Sequence, residues 1–210
     1  MSKDQPHSAI QDPRVTAVIE RLQTARRPPA RSGPMQGGSR DPNDYAEHGF
    51  SIHPDQGELI YLLCRGLSAT RVVEFATSVG MSTLYFAAPM RDNGGGKVIG
   101  SEIVAAKVAT AQRNLADAGL ADYAEIREGD ARTTLRDLGG PVDFILIDGW
   151  PGGGGPTLAR QVIEIVAPQL HVGGYVMNDN AEPDFLEYVR DRRNGFLSTR
   201  CRSRAARSYA

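Results

Sequence analysis

Acidic side chains recur along this sequence at the points where apolar runs end. Glu74, Asp148 and Asp179 fall within or just after the runs RVVEF, VDFILI and GGYVMN, and Glu102 and Asp130 close two further segments. Short apolar runs of this kind are typical of buried strands. In an open α/β sheet, ligands bind at the edge where the carboxyl ends of the strands meet. We therefore predict that these five acids surround one ligand site.

Asp148, Asp179 and Asn180 form the subset best suited to a metal ion. The two strands that precede them are predicted neighbours, which would bring two carboxylates and a carboxamide together. Hard oxygen donors suit Mg²⁺, or another divalent cation of similar preference, better than Zn²⁺, for which His or Cys is preferred. Asp and Asn are also common in ordinary turns. On spacing alone, a magnesium site and two unrelated turns remain equal alternatives.

The stretch RVVEFATSVGMSTLYFAA (71–88) indicates a short strand, a tight turn that ends at Gly80, and a helix opened by Ser82. Such a turn delivers a strand end to a helix N-terminus, which is how α/β proteins bind nucleotide-like ligands. The turn starts at Ala76 and lacks the pattern G-x-G-x-x-G, whose spaced glycines let a pyrophosphate approach. The sequence therefore favours an adenosine ligand without phosphates, whose tail carries an amino acid.

Several side chains have a candidate role toward such a ligand. Glu102, about twenty residues beyond the turn, suits a carboxylate that accepts both ribose hydroxyls. Glu74 could engage the ammonium group of the tail, and Asp130 could accept from the adenine amine. Trp150, beside the loop PGGGGP, offers a flat apolar face for the adenine ring.

Strands that alternate with helices predict a doubly wound, mostly parallel α/β sheet. Residues 1–45 are expected to hold a first helix and a flexible Pro/Gly/Arg-rich segment, and residues 46–210 a single domain. The last predicted strand is FLSTRCR (196–202). The other predicted strands are 72–75, 97–102, 124–131, 142–150 and 173–180, and the predicted helices are 13–26, 54–67, 82–88, 104–118, 133–138, 157–166 and 183–192.

The composition argues against several classes of partner. With 24 basic and 25 acidic residues the formal net charge is −1, so nothing favours binding to nucleic acid or to an anionic membrane. No apolar run reaches the roughly 18 residues of a membrane helix, and none resembles a signal peptide. Two cysteines without a CxxC pattern give no sign of a redox or zinc site. We therefore expect a cytoplasmic protein.

Residues 50–180 resemble the class I S-adenosylmethionine-dependent methyltransferases, and among them the metal-dependent, catechol O-methyltransferase-like group. The resemblance is carried by FSIHPDQGELIYLL, VVEFATSVGMSTLYFA, VIGSEIVAAKV, EGDA, IDGW and NDN. It implies a Rossmann-like fold, S-adenosylmethionine as cofactor, and a small hydroxylated, catechol-like or other aromatic substrate. It also implies that Asp148, Asp179 and Asn180 hold a divalent ion, with Asp148 a catalytic residue, and that the ion lowers the pKa of a substrate hydroxyl. The residues that it implies around the cofactor are Glu74, Ala76, Gly80, Ser82, Glu102, Ile103, Asp130, Ala131, Asp148 and Trp150.

Three features depart from the family pattern. Ala76 stands where the family usually has glycine, which would crowd the cofactor slightly. Pro151 stands where the catechol enzymes have a lysine that takes the substrate proton, so either metal coordination suffices or another group, such as His53, is the base. The family closes its sheet with a C-terminal antiparallel strand pair, which is expected to be incomplete here. A bare sheet edge invites pairing, so we expect a homodimer.

Two other functions remain open on the sequence. An NAD(P)-dependent oxidoreductase would also use the strand–turn–helix and Glu102, although the missing glycines and the acidic end of the fifth strand count against it. A protein that binds S-adenosylmethionine without transferring its methyl group would also fit Ala76, Pro151 and the short stretch after the last helix.

Overall fold

The computed structural model describes residues 8–24, 39, 41–150, 152 and 154–201. Within them, five strands form one sheet: β1 (Arg71–Phe75), β2 (Lys97–Glu102), β3 (Ala124–Glu128), β4 (Val142–Ile147) and β5 (Leu170–Asn178). The α-helices among these residues are α1 (Pro13–Thr24), α2 (Pro54–Gly66), α3 (Met81–Asp92), α4 (Ala105–Asp117), α5 (Ala131–Thr134), α6 (Leu158–Val166) and α7 (Pro183–Arg190).

The sheet is parallel throughout, with the strand order β3-β2-β1-β4-β5. The chain builds outward from β1 to β3, and then returns to the other side of β1 to add β4 and β5. In an open α/β sheet this reversal leaves a crevice at the carboxyl ends of the two central strands, here β1 and β4. The predicted doubly wound α/β fold is confirmed.

Apolar side chains cover both faces of the sheet. Along a strand, successive side chains point to opposite faces. Val72 and Phe144 accordingly join the core formed with α1, α2 and α3, whereas Val73 and Ile145 join the core formed with α6 and α7. Because β1 and β4 are buried on both faces, their sequences are nearly continuous apolar runs.

Helix α1 belongs to the first of these cores. Its buried side chains Val15, Val18 and Ile19 pack in the same cluster as Leu84 and Phe86 of α3. Of the Pro/Gly/Arg-rich segment that follows, residues 25–38 and 40 lie outside the described residues. The predicted division near residue 45 stays a prediction, but α1 itself packs with the helices that cover the sheet.

Element ends shift in ways that matter for the site. The third strand ends at Glu128, and Asp130 is the N-cap of α5, which begins at Ala131 rather than at Thr133. The fifth strand starts at Leu170 and ends at Asn178, so the acid and amide predicted at its end lie just beyond it.

The predicted strand at 196–202 is wrong for residues 196–201, which form no strand. Leu197 is fully exposed there, so a strand at this position would bury little apolar surface. Among the described residues the sheet has no antiparallel strand, and β5 forms one of its edges. No helix in the described part of the chain has the length and apolar content needed to cross a membrane.

Candidate active site

A cavity of about 420 Å³ opens at the carboxyl ends of the strands. Three predicted site residues do not line it: Glu74, Gly80 and His53. Ten others do, and they come from the ends of all five strands and from the residues that follow. The predicted residues that line the cavity are Ala76, Ser82, Glu102, Ile103, Asp130, Ala131, Asp148, Trp150, Asp179 and Asn180.

Glu102 is held rigidly at the end of β2. The residue is buried, and Oε2 accepts a hydrogen bond from the backbone N–H of Ser78 at 2.7 Å. Its other oxygen, Oε1, accepts from the N–H of Val104 at 2.9 Å. Each carboxylate oxygen can accept more than one hydrogen bond, so both retain capacity for a ligand hydroxyl.

Glu74 lies beneath the cavity and acts through a neighbour. Its carboxylate accepts hydrogen bonds from the hydroxyl of Ser82, at 2.8 Å, and from that of Thr83. Burial raises the pKa of Glu74, and these hydroxyls oppose the rise. The contact fixes Ser82, which lines the cavity, at the N-terminus of α3.

The turn after β1 has a strained backbone. Ala76 and Ser78 have φ angles of 69° and 51°, in the left-handed region that favours glycine. Gly80, at φ 88°, caps α3, and a Cβ there would lie 3.3 Å from the Cα of Ala111 in α4. Glycine at position 80 thus permits the close approach of α3 and α4. Ala76, in contrast, has a strained backbone conformation that a glycine would adopt without strain.

Asp130 is engaged by a neighbouring cation. Its carboxylate accepts a hydrogen bond from the backbone N–H of Arg132 at 2.8 Å. It also forms an ion pair with the guanidinium of Arg132, at 2.5 Å. The side-chain hydrogen bond from Arg132 is the main reason that the pKa of Asp130 is lowered. Arg132, for which the sequence predicted no role, also lines the cavity.

The oxygen donors at the ends of β4 and β5 lie close together. The register pairs Ile147 with Asn178, so Asp148 and Asp179 follow at matching positions. Burial raises the pKa of Asp148 to about 8, and Asp179 is the next contributor, ahead of Glu74 and Glu182. The two carboxyl groups therefore lie close enough for the charge of Asp179 to raise the pKa of Asp148 further.

Two further residues complete this cluster. Asn180 has a φ of 46°, which Asn tolerates better than most residues, and its amide donates to Asp179 at 3.2 Å. Glu182 lines the same part of the cavity, and its Oε2 is buried without a hydrogen-bond partner among the described residues. By the criterion of three or more His, Cys, Asp or Glu ligands, the described part of the chain holds no metal cluster. The predicted site has two carboxylates and a carboxamide.

Residues 41–53, here called the covering segment, close one side of the cavity. Tyr45 and Phe50 pack edge-on against Trp150, with ring centroids 5.1 and 5.9 Å away. The backbone N–H of Phe50 also donates to the hydroxyl of Ser78 at 3.1 Å. Phe50 belongs to the FSIHPD stretch, but the pairing of its ring with a tryptophan a hundred residues later left no local signal in the sequence.

His53 lies at the end of the covering segment and does not line the cavity. It is the N-cap of α2, where Nδ1 accepts from the N–H of Asp55 at 3.3 Å, and its side chain is 48% exposed. Its position gives no support to a role as the base. Pro151, the other position in that question, lies outside the described residues.

Comparison with known proteins gives this geometry a context. Residues 73–181 match a family model described as a methyltransferase domain. The catechol O-methyltransferase of Niastella koreensis is 35% identical over 165 residues, covering 70% of this chain and 72% of that protein. The catechol O-methyltransferase of Mycobacterium tuberculosis is 32% identical over 155 residues, covering 69% of this chain and 66% of that protein.

Solved structures share the fold at lower identity. The O-methyltransferase from Bacillus cereus in complex with SAH superposes with a TM-score of 0.60 at 22% identity, covering 87% of this chain and 71% of that chain. A methyltransferase from Geobacter sulfurreducens superposes with a TM-score of 0.61 at 20% identity, covering 90% of this chain and 83% of that chain. The family match spans more than half of the sequence and argues against the oxidoreductase alternative. The chain belongs to the class I S-adenosylmethionine-dependent O-methyltransferases.

Proposed function

We propose that this chain transfers the methyl group of S-adenosylmethionine to a hydroxyl of a small, catechol-like aromatic substrate, with a divalent cation bound at Asp148, Asp179 and Asn180. One observation carries the proposal: a single cavity contains both a fixed strand-end carboxylate, Glu102, and a group of hard oxygen donors at the ends of β4 and β5, two and three strands away. The first suits an adenosine ribose, and the second suits a cation with bound hydroxyls. The names of the two curated relatives support a catechol as the first substrate to test.

At the cofactor end, we assign the ribose hydroxyls to Glu102 and the adenine to the wall formed by Ile103, Asp130 and Ala131. Glu102 is buried and already oriented by two backbone N–H groups, so binding a ribose would cost little reorganisation. Asp130 keeps its carboxylate charged through Arg132, so it can still accept from an adenine amine. Ser82, fixed by Glu74, is assigned to the amino-acid tail.

At the opposite end, the donor set suits a divalent cation of the magnesium type. Asp148 and Asp179 repel one another where they meet, and a bound cation would turn that repulsion into attraction. Among the described residues the buried Oε2 of Glu182 has no hydrogen-bond partner, so it offers an acceptor for a substrate hydroxyl. When bound, a divalent ion would supply Lewis-acid activation of the substrate oxygen.

The protein's own contribution is to align the two reactants and to keep water away. Phe50 and Trp150 line the same cavity as Asp148 and give it an apolar wall, and Tyr45 packs against Trp150; such a wall suits a planar aromatic acceptor. Holding donor and acceptor in line is the main source of rate in a displacement of this kind. No base among the described residues is needed if the hydroxyl loses its proton through coordination.

The test is transfer to catechol with and without Mg²⁺, combined with Asp148→Ala. We expect the variant to lose about a hundredfold or more of kcat, because Lewis-acid activation is worth several kcal/mol. Its affinity for S-adenosylhomocysteine, measured by calorimetry, should change by less than about threefold. The substitution leaves the contacts assigned to the ribose, the adenine and the amino-acid tail intact, so it removes little binding energy.

Asp122→Ala, at an exposed acid outside the cavity, is the control for general effects of removing a carboxylate. A fully active Asp148→Ala enzyme would remove the cation from the mechanism. Retained S-adenosylhomocysteine binding by the wild type, with no transfer to any catechol in either condition, would instead indicate a binding protein without transfer activity.

A further inference from the structure

Lys107 is a buried cation for which the proposed reaction has no role. It is 4% exposed and lies in the first turn of α4, where the helix dipole disfavours a positive charge. Burial lowers the pKa of Lys107, and the nearby Glu102 opposes that effect. Burying an ammonium group is costly unless other groups compensate it. The compensating groups here are part of the cavity wall.

The principal contact of Lys107 is with the covering segment. Its Nζ lies 4.8 Å from the centroid of the Phe50 ring, within the range of a cation–π interaction. Phe50 in turn donates its backbone N–H to Ser78, and Ser78 donates its own N–H to Glu102. Glu102 and Lys107 also attract one another electrostatically, so the four residues are connected in a ring of contacts. All four residues line the cavity.

We propose that Lys107 is a positioning residue for the cofactor. Lys107 holds the Phe50 ring, and with it the covering segment, against the ribose end of the cavity beside Glu102. This inference rests on the proposed function in one respect, namely that Glu102 binds the ribose. Lys107 would then keep water from the ribose and place a positive charge beside the carboxylate that accepts its hydroxyls. Its loss would release the covering segment without touching the oxygen cluster at Asp148.

The chain carries its own reporter for this test. Trp150 is the only tryptophan in the sequence, and Phe50 packs against it. Release of Phe50 should therefore shift the fluorescence emission of Trp150 to longer wavelength. A packing defect confined to α4 would leave that emission unchanged, because the aromatic rings that pack against Trp150 in the described part of the chain, Tyr45 and Phe50, belong to the covering segment.

The experiment compares Lys107→Met, Lys107→Arg, Phe50→Leu and the Lys107→Met/Phe50→Leu double variant by calorimetric titration with S-adenosylhomocysteine. Lys107→Met and Phe50→Leu should each weaken binding by about three- to thirtyfold, the range of a partly buried cation–π contact. The double variant should lose no more than the worse single variant, because both remove one contact. Lys107→Arg should stay within about threefold of the wild type, since a guanidinium also stacks on an aromatic ring.

Lys97→Met is the matched control. Lys97 lies at the start of β2, whereas Glu102 lies at its end, and the ammonium group of Lys97 donates to the carbonyl of Asp122. If Lys107→Met does not fold, Phe50→Leu breaks the same contact from the half-buried side. Unchanged affinity and unchanged Trp150 emission, or fully additive losses in the double variant, would overturn the role of Lys107. Failure of the wild type to bind S-adenosylhomocysteine would overturn the proposed function instead.

Discussion

Glu102 illustrates how one side chain can serve both the backbone and a ligand. Its two oxygens each accept one backbone N–H, from Ser78 and from Val104, and the residue lines the cavity. The N–H groups fix the carboxylate in place, and its remaining lone pairs can accept ribose hydroxyls. The contact is therefore expected to contribute to cofactor affinity as a hydrogen-bonded charge.

We expect Glu102→Gln to weaken S-adenosylhomocysteine binding by about tenfold to a hundredfold, because a hydrogen bond to a charged group is worth about 1.5–3 kcal/mol. Calorimetric titration measures the change. Glu128→Gln is the control, since Glu128 is the exposed partner of Glu102 in the β2–β3 register. Equal affinities for Glu102→Gln and the wild type would show that this carboxylate does not hold the ribose.

At the residue scale, the sequence predicted the acids better than the cations. Glu102 and Asp148 could be found because each follows an apolar run, and parallel strands bring such positions to one edge. Lys107 and Arg132 could not, because a basic residue in the first turn of a helix usually faces solvent. Only the structure shows that the ring of Phe50 covers Lys107 and that Asp130 pairs with Arg132.

Among the elements, β5 is joined to the rest of the sheet by a charged contact at its beginning. Asp143 of β4 accepts from the backbone N–H of Thr70 and Arg71, at 2.6 and 2.8 Å, and from Nε2 of His171 at 2.8 Å. Burial alone would raise the pKa of Asp143, but these hydrogen bonds outweigh it, and the pKa is lowered. One carboxylate thus connects β1, β4 and β5.

This contact predicts a pH-dependent stability. A carboxylate whose pKa is lowered in the folded state stabilises the protein above its ordinary pKa, and the stabilisation is lost as the pH falls through the folded-state value. Asp143→Asn should therefore lower the free energy of unfolding by about 2 kcal/mol near neutral pH. The difference from the wild type should shrink as the pH falls below the ordinary pKa of an aspartate, because the wild-type carboxyl group then becomes neutral as well.

Urea denaturation across this pH range measures the effect. Asp122→Asn, at an exposed acid, should differ from the wild type by less than about 0.5 kcal/mol throughout. A constant difference for Asp143→Asn at every pH would mean that its charge is not what stabilises the strand junction.

The elements also show what a local pattern can miss. The strand pattern placed β1 and β4 correctly because both are buried on two faces. It failed at FLSTRCR because alternating apolar and polar residues make a strand only where a neighbouring strand is available, and residues 196–201 form no strand. The contacts of the covering segment with Trp150 could not be predicted, because the residues that make them are distant in sequence.

At the scale of the whole molecule, β5 is an edge strand that carries exposed apolar side chains. Val172 is fully exposed and Tyr175 is 44% exposed. An edge strand presents backbone groups that can pair with another chain. A homodimer formed through β5 stays our prediction, and light scattering coupled to gel filtration should give twice the monomer mass.

Val172→Lys should convert that dimer to a monomer, because a charged side chain on an edge strand opposes pairing. Leu197→Lys is the control, since Leu197 is equally exposed but lies outside the sheet. A monomeric wild type, or a Val172→Lys variant that remains dimeric, would contradict this arrangement.

The covering segment precedes every strand of the sheet, yet Tyr45 and Phe50 rest on Trp150, which follows β4. During translation these two aromatic residues emerge about a hundred residues ahead of that tryptophan. At ordinary rates of protein synthesis the interval is on the order of ten seconds. The strands β1 and β2 are complete at Glu102, about fifty residues before that tryptophan. The nascent chain can thus pair its first two strands before the aromatic wall of the cavity is complete.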